Sequence, residues 1–279
     1  MSISLRLLSI LLFALTLFAY SDADLDGVED SVDRCPNTPL TELVDISGCT
    51  IKSLENPYHF DVVMGISYSQ ISPVTQEKTD TVSGSLQADY YYKKFSLQLS
   101  TAYFDSESNI TTSSGTTDTF LGAYYQFEPL KDLNLRLGGG LLLPTYDADN
   151  NNLDYTASLS LSYLYNDFNF FGSYSYTMIN DDDIVDIAYY QDSSAFNAGL
   201  GFYPTSHLYS SISYNQSDSI YSKVITKDLT LQSIEPLKSA SFYLFYTINK
   251  NYFAIFNYAY GLSDPASDHY VNLRLGYYF

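Results

Sequence analysis

The chain has no tryptophan, only two cysteines, three histidines and thirteen lysines and arginines in 279 residues. Each shortage excludes something. With 13 bases against 32 acids, a formal charge of −19, the chain would be repelled by a polyanion, so nucleic acid is not expected as a partner and cations are the natural counter-ions. Long apolar runs are also missing: after Phe18 no stretch approaches the roughly 18 consecutive apolar residues of a spanning helix. Any membrane span must then be made of strands. What is abundant is aromatic, with 29 Tyr and 17 Phe at a mean hydropathy of −0.10. So many rings at near-neutral hydropathy fit the interfacial girdles of a barrel better than a soluble globule.

From about His59 the sequence repeats one unit, an alternating stretch of about ten residues followed by a turn. About twelve are read, from Phe60 to Tyr68 through Leu133 to Leu143 to a last one at Val271 to Phe279. The connections alternate in length. Lys93-Lys94, Glu128 to Asp132, Asn166-Asp167, Pro204 to His207 and Asn249 to Asn251 are tight, whereas the links at 70–81, 105–118, 144–154, 179–193, 215–239 and 261–269 are longer and polar. The expected fold is all-β: an up-and-down antiparallel transmembrane barrel of about 12 strands, with short turns and both chain ends on the periplasmic side. The longest link, 215–239, would either fold inward or form a surface hairpin.

Residue type assigns the faces. Leu133, Leu135, Leu137, Leu141 and Leu143 would point outward, as would Tyr155, Leu159, Leu161 and Tyr163, with Tyr and Phe near strand ends forming belts. Ser83, Ser85, Gln87, Ser158, Ser160 and their like would point inward. Such short hydroxyls would not fill a twelve-stranded lumen, leaving room for water, a folded-in loop or the N-terminal segment. The possible pore-lining charges are Asp61, Asp89, Arg136, Asp154 and Arg274, with the two arginines either setting ion preference or pairing with the acids. Asp147, Asp149, Asp181, Asp182, Asp183 and Asp186 in the loops would bias the mouth toward cations. The chain is not expected to be an enzyme. Of the three histidines, His59 sits at the start of the first strand and His207 in a short turn, while His269 has Ser267 at i−2, where a strand would put both on one face, and no catalytic motif surrounds that pair.

Ahead of the barrel, residues 1–21 read as a secretory signal, with Arg6 as the positive n-region, Leu7 to Phe18 as the apolar core and Ala19-Tyr20-Ser21 before the cut. Residues 22–50 form an acidic module, 51–58 a linker and 59–279 the barrel. In the module, Asp22, Asp24, Asp26, the Val28 carbonyl, Asp30 and Asp33 occupy positions 1, 3, 5, 7, 9 and 12 of a calcium loop, with Gly27 at the sharp turn. Five converging carboxylates would repel one another without a hard cation, so calcium is expected to be coupled to folding of the segment. Asp33 replaces the usual bidentate Glu. Cys35 and Cys49, in an exported chain, would form a disulfide worth about 3 kcal/mol; a thiolate metal site is the alternative.

Two resemblances extend these readings. The Asp ladder, Asp33-Arg34-Cys35-Pro36-Asn37-Thr38-Pro39, Val44-Asp45 and Gly48-Cys49 resemble a thrombospondin type 3 repeat, a segment also found as a linker in the outer-membrane protein A family. That resemblance implies calcium binding over about 28 of the 279 residues. The last strand, HYVNLRLGYYF from His269 to Phe279, puts Val271, Leu273, Leu275, Tyr277 and Phe279 on one face, and resembles the terminal strand of bacterial outer-membrane β-barrel proteins. It implies outer-membrane localisation in a Gram-negative bacterium, contact with membrane lipid and recognition by the barrel assembly machinery. The functional expectation is a porin-like channel for small polar solutes or ions; the alternative is a non-conducting structural or surface-recognition barrel. Calcium should slow proteolysis of residues 22–49 relative to chelator, and Asp24→Ala with Asp26→Ala should abolish the protection; equal cleavage rates would remove the metal from the reading.

Overall fold

Alternation with period two lets one side of a strand be apolar and the other polar, and here it produces long strands wherever it persists. In the computed structural model, described over residues 58–72, 78–109, 111–225, 230–232 and 235–279 and, ahead of these, at Asp22, Asp24, Val28, Asp30, Asp33, Arg34, Cys35 and Thr38, the chain divides into two units, Met1–Glu55 and Asn56–Phe279. The second unit holds β1 (Tyr58–Ile71), β2 (Thr79–Tyr92), β3 (Phe95–Ser108), β4 (Thr112–Thr116), β5 (Thr119–Leu130), β6 (Leu133–Leu143), β7 (Asp154–Tyr165) and β8 (Phe168–Met178). It continues through β9 (Ala188–Tyr190), β10 (Ser193–Thr205), β11 (Leu208–Ser217), β12 (Tyr221–Ile225), β13 (Thr230–Gln232), β14 (Leu237–Thr247), β15 (Tyr252–Gly261) and β16 (His269–Tyr278).

All of these except β4, β9, β12 and β13 form one ring, in which each strand pairs antiparallel with the next in sequence and β16 returns to β1. The closing register runs from Asp61 opposite Tyr278 to Gln70 opposite His269, and the Phe279 N–H donates to the Phe60 carbonyl at 2.9 Å. The result is a closed twelve-stranded up-and-down barrel, as the sequence pattern implies. Several strands are longer than the expected ten residues; β1, β2 and β3 each have 14.

Short turns are made by residues that tolerate a left-handed backbone. Lys93, Asp132 and Asn166 have φ of 55°, 64° and 52° in three of the two-residue connections. Two ladders slip near a short turn, between Phe127 and Leu130 and between Phe202 and Thr205, and each slip contains a proline, Pro129 or Pro204. Proline has no N–H for the ladder, so the pairing breaks there.

The long connections are more ordered than their polarity suggested. β3 and β4 make a hairpin beyond the ring, so the link expected at 105–118 is mostly strand. In the link at 215–239, β12 pairs with β13 and with β9, forming a small three-stranded sheet, which selects a hairpin for this segment. Tyr190 and Tyr221 pack across it with ring centroids 5.2 Å apart and the rings tilted at 46°.

The outward face is an apolar band. Met64, Ile66, Leu86, Leu97, Leu137, Leu159, Phe170 and Ile212 are among the large hydrophobic side chains left exposed on it. Outward acids and bases on the ring strands lie toward the long-loop ends, at Asp80, Asp105, Glu107 and Lys238, apart from exposed Glu128 in the ladder slip beside a short turn. At the short-turn rim, outward rings pack against one another, as in Phe60 with Tyr90 at 4.9 Å and Phe95 with Tyr125 at 4.8 Å. Leu159 faces outward near the middle of β7, opposite Leu137 and Tyr174. Leu159→Arg should cost about 2–4 kcal/mol in urea unfolding from lipid vesicles, while Ser175→Arg, directed into the lumen, should cost far less. Equal costs would invert this assignment of faces.

Candidate functional site in the barrel lumen

Inward-facing side chains form the other half of the alternation, and they change character along the barrel axis. Toward the long loops they are short and polar. Ser67 and Ser83 share a hydrogen bond of 2.6 Å, Ser213 and Ser241 one of 2.7 Å, and Ser173 donates to Asn197 at 3.2 Å. Two cavities open in this half. One of about 380 Å³ is lined by Ser173, Ser175, Asn197, Asn215 and Ser239 on β8, β10, β11 and β14; the other, of about 350 Å³, is lined by Ser85, Gln87, Asn257, Asn272 and Arg274 on β1–β2 and β15–β16. Tyr270 belongs to both linings.

Toward the short turns the wall also carries aromatic side chains, which corrects the expectation of short hydroxyls throughout. Tyr203 and Tyr209 are 4.7 Å apart, Tyr209 and Tyr243 6.2 Å, Phe245 and Phe253 5.3 Å, and Phe253 and Tyr278 4.5 Å. Phe253 is only 4% exposed and packs with Val63 and Ile255 in a buried cluster inside the barrel. Glycine makes this packing possible. A Cβ at Gly276 would fall on the Phe253 ring, nearly equidistant from Cζ and both Cε atoms, so the ring lies face-on against the wall. Gly201 under Tyr209 and Gly138 under Tyr124 repeat the arrangement. The signal was present in the sequence as lumen-parity glycines, such as Gly138 and Gly276, directly opposite lumen-parity rings, Tyr124 and Phe253.

Of the charged residues, Asp61, Asp89 and Arg136 lie in the short-turn half, with Asp61 opposite Tyr278, whereas Arg274 lies nearer the middle and Asp154 at the long-loop rim. Asp61 and Asp89 are register partners on β1 and β2, at 7% and 6% exposure. Asp89 Oδ2 accepts from Gln87 Nε2 at 2.7 Å, whereas Asp61 Oδ1 is buried with no hydrogen-bond partner. Arg136 lies 3.8 Å over the Tyr124 ring and donates to Ser96 Oγ at 3.2 Å, and Arg274 crosses the β16–β1 seam over Gly65. Neither arginine makes an ion pair: among the described residues the pairs are Lys78–Asp80 and Lys238–Glu235. Pairing of the arginines with the inward acids is therefore not what holds them; stacking and packing over glycine are. Asp154 lies at the long-loop end, where it accepts the Asn180 N–H at 2.7 Å.

Several mouth acids hold loops together. Asp181 accepts the Asn152 N–H at 2.8 Å and Asp183 the Tyr190 N–H at 2.9 Å, while Asp118 accepts from Tyr146 and Asn151. Asp147, Asp149, Asp182 and Asp186 are exposed. Asp192 is held below the usual carboxylate range by the Tyr176 hydroxyl and the Ile179 N–H. Ser267 and His269 do not form a dyad: His269 Nδ1 is 2.9 Å from the Tyr258 hydroxyl on the outward side, while Ser267 lines the larger cavity.

In the first unit, Thr38 N–H donates to Asp24 Oδ2 at 2.5 Å and Cys35 N–H to Asp33 Oδ1 at 2.8 Å. The other oxygens of these two carboxylates, Asp24 Oδ1 and Asp33 Oδ2, are buried without a hydrogen-bond partner. An ionised carboxylate only accepts, so buried oxygens without donors suit a hard cation. Asp26 and Cys49 lie outside the described residues, and among the described residues no three His, Cys, Asp or Glu side chains are grouped to hold a metal.

No family profile matches the chain. Two curated alpha-agarases share a short stretch with it: that of Alteromonas agarilytica is 56% identical over 37 residues and that of Thalassotalea agarivorans 67% identical over 30. These stretches are 13% and 11% of this chain and 3% and 2% of the agarases, so they carry nothing about the barrel. Among solved structures, an outer membrane channel from Pseudomonas putida F1 superposes with a TM-score of 0.63 at 14% identity, covering 81% of this chain and 97% of that one. The NanC porin gives 0.51 at 12% identity, covering 78% and 98%. The fold is that of outer-membrane channels and porins.

Phe253→Ala would empty the buried cluster at the short-turn end. It should lower stability by about 3–5 kcal/mol in urea titrations of the refolded barrel. A loss below about 1 kcal/mol would mean that the ring faces open water instead.

Proposed function

We propose that the chain is an outer-membrane channel that passes small polar solutes or ions by diffusion. The observation that carries this reading is the polar lumen with its two cavities of about 380 and 350 Å³, enclosed by a barrel whose outer face is apolar. The superposition on outer membrane channels supports it at the level of fold. On this reading the short turns and both strand ends face the periplasm, the long loops face outward, and assembly passes through the barrel assembly machinery. The exposed loop acids Asp147, Asp149, Asp182 and Asp186 draw cations to the mouth, and Asp61 and Asp89 extend that preference inward, opposed by Arg136 and Arg274.

The acidic segment before the barrel is proposed as a periplasmic calcium module held by Asp22, Asp24, Asp26, Asp30, Asp33 and the Val28 carbonyl, with Cys35 and Cys49 bridged. The buried, unpartnered oxygens of Asp24 and Asp33 support it. When bound, calcium would neutralise these carboxylates and fix the loop. No catalytic step is proposed for any part of the chain.

A second reading, a non-conducting structural or surface-recognition barrel, is favoured by one observation: the buried Val63–Phe253–Ile255 cluster narrows the lumen at the short-turn end. Planar-bilayer recording of the refolded protein separates the two. The channel reading expects reproducible steps of cation-selective current, and Asp61→Asn with Asp89→Asn should shift the reversal potential toward anions. A protein that inserts but gives no steps is the second kind of barrel.

A further inference from the structure

The 350 Å³ cavity contains two polar groups that the protein itself does not satisfy. Arg274 and Asn257 both line it, and within these side chains Arg274 Nε and Asn257 Oδ1 are buried with no hydrogen-bond partner. They are close neighbours on the wall: Asn257 is the register partner of Asn272, which lies two residues from Arg274 on the same face of β16. A buried donor and a buried acceptor left unmade are each costly, and the cost is relieved by a group that accepts from one and donates to the other. The surrounding side chains add hydroxyl and amide functions at Ser85 and Gln87, and Tyr270 closes the lining from β16. A volume of about 350 Å³ is within the range of small-molecule sites.

Charge narrows the class of occupant. At the long-loop end Asp118 lines the same cavity, while Arg274 lines it from β16 without an ion pair. An anionic solute would approach Asp118 and the exposed acids of the mouth, and a cation would approach Arg274. A carboxylate oxygen, moreover, accepts but cannot donate to Asn257 Oδ1. A neutral hydroxyl does both, with no charge to desolvate. Several hydroxyls on one ring would also use Ser85 and Gln87, leaving an apolar C–H face for Tyr270.

We propose that this cavity is a binding subsite for a neutral polyhydroxylated solute of monosaccharide size, oriented by Arg274 Nε and Asn257 Oδ1. Gly65 is part of the construction, because a side chain there would displace the Arg274 stem that lies across the β16–β1 seam. The proposal deepens the channel reading by naming a solute class for the same lumen, and the two can fail separately.

The test uses the full chain refolded in detergent, with D-glucose and sorbitol as neutral probes and gluconate as the anionic one, read by titration calorimetry and, in bilayers, by solute-induced block of the current. The neutral probes should bind and block. Arg274→Lys, which keeps the charge but lacks Nε, and Asn257→Leu, which removes the acceptor, should each weaken binding by about tenfold or more. Heat-modifiable migration on gels shows that each variant has folded. Binding unchanged in both folded variants overturns the subsite, as does a wild-type barrel that conducts yet neither binds nor is blocked by the neutral probes; in both cases the cavity holds only water. Gluconate binding about tenfold tighter than glucose overturns the solute class. Hexose binding that is lost in the variants of a protein that never conducts upholds the subsite and removes the channel.

Discussion

A sheet whose outer face is apolar can leave no backbone N–H or C=O at an open edge, because lipid offers neither donor nor acceptor and each unmet group costs several kcal/mol. Closure is therefore the constraint from which the rest follows. It is met by the β1–β16 register and sealed at its end by the bond from the Phe279 N–H to Phe60. An even number of antiparallel strands brings the first and last to the same end, which sorts the connections into tight turns on one side and long loops on the other. Four of the five tight connections use a left-handed Lys, Asp or Asn, or a proline that breaks the ladder near the turn.

Closure also creates an interior that twelve strands cannot fill with serine. The two halves of the lumen handle this differently. Toward the loops the walls stay short and the space remains as cavities among Ser, Asn and Gln. Toward the turns, rings from one strand lie on glycines of the next, with Phe253 on Gly276 and Tyr209 on Gly201, so that bulk is added without pushing the strands apart. The same device places Arg274 over Gly65, leaving a guanidinium along the wall with no acidic partner. Fixed charges held by packing instead of by ion pairing remain available to whatever enters the lumen.

Much of this was legible before any fold was known. The strand count, the long and short connections and the outward leucines of β6 and β7 follow from period two alone, because a one-residue error would turn every leucine to the wrong face. The aromatic layer was not legible by that rule. Tyrosine is amphipathic and suits both an interfacial belt and a lumen wall, so Tyr209 or Tyr243 near a strand end reads as belt until its parity is set against a glycine on the neighbouring strand. The link at 215–239 was undecided for another reason: its pairing partner, β9, is more than thirty residues away, and local pattern does not encode that contact.

The sequence by itself determined the class of fold, the direction of each side chain along a strand and the acidic, calcium-type spacing of residues 22–33, because each depends only on local periodicity or on spacing along the chain. Tertiary structure decided what the inward residues do. Whether Asp61 meets an arginine or another acid, whether Ser267 meets His269, and whether Arg274 and Asn257 share a cavity are set by interstrand register and by which glycine lies beneath which side chain. Those are relations between strands distant in sequence, and closing the ring fixes them all together.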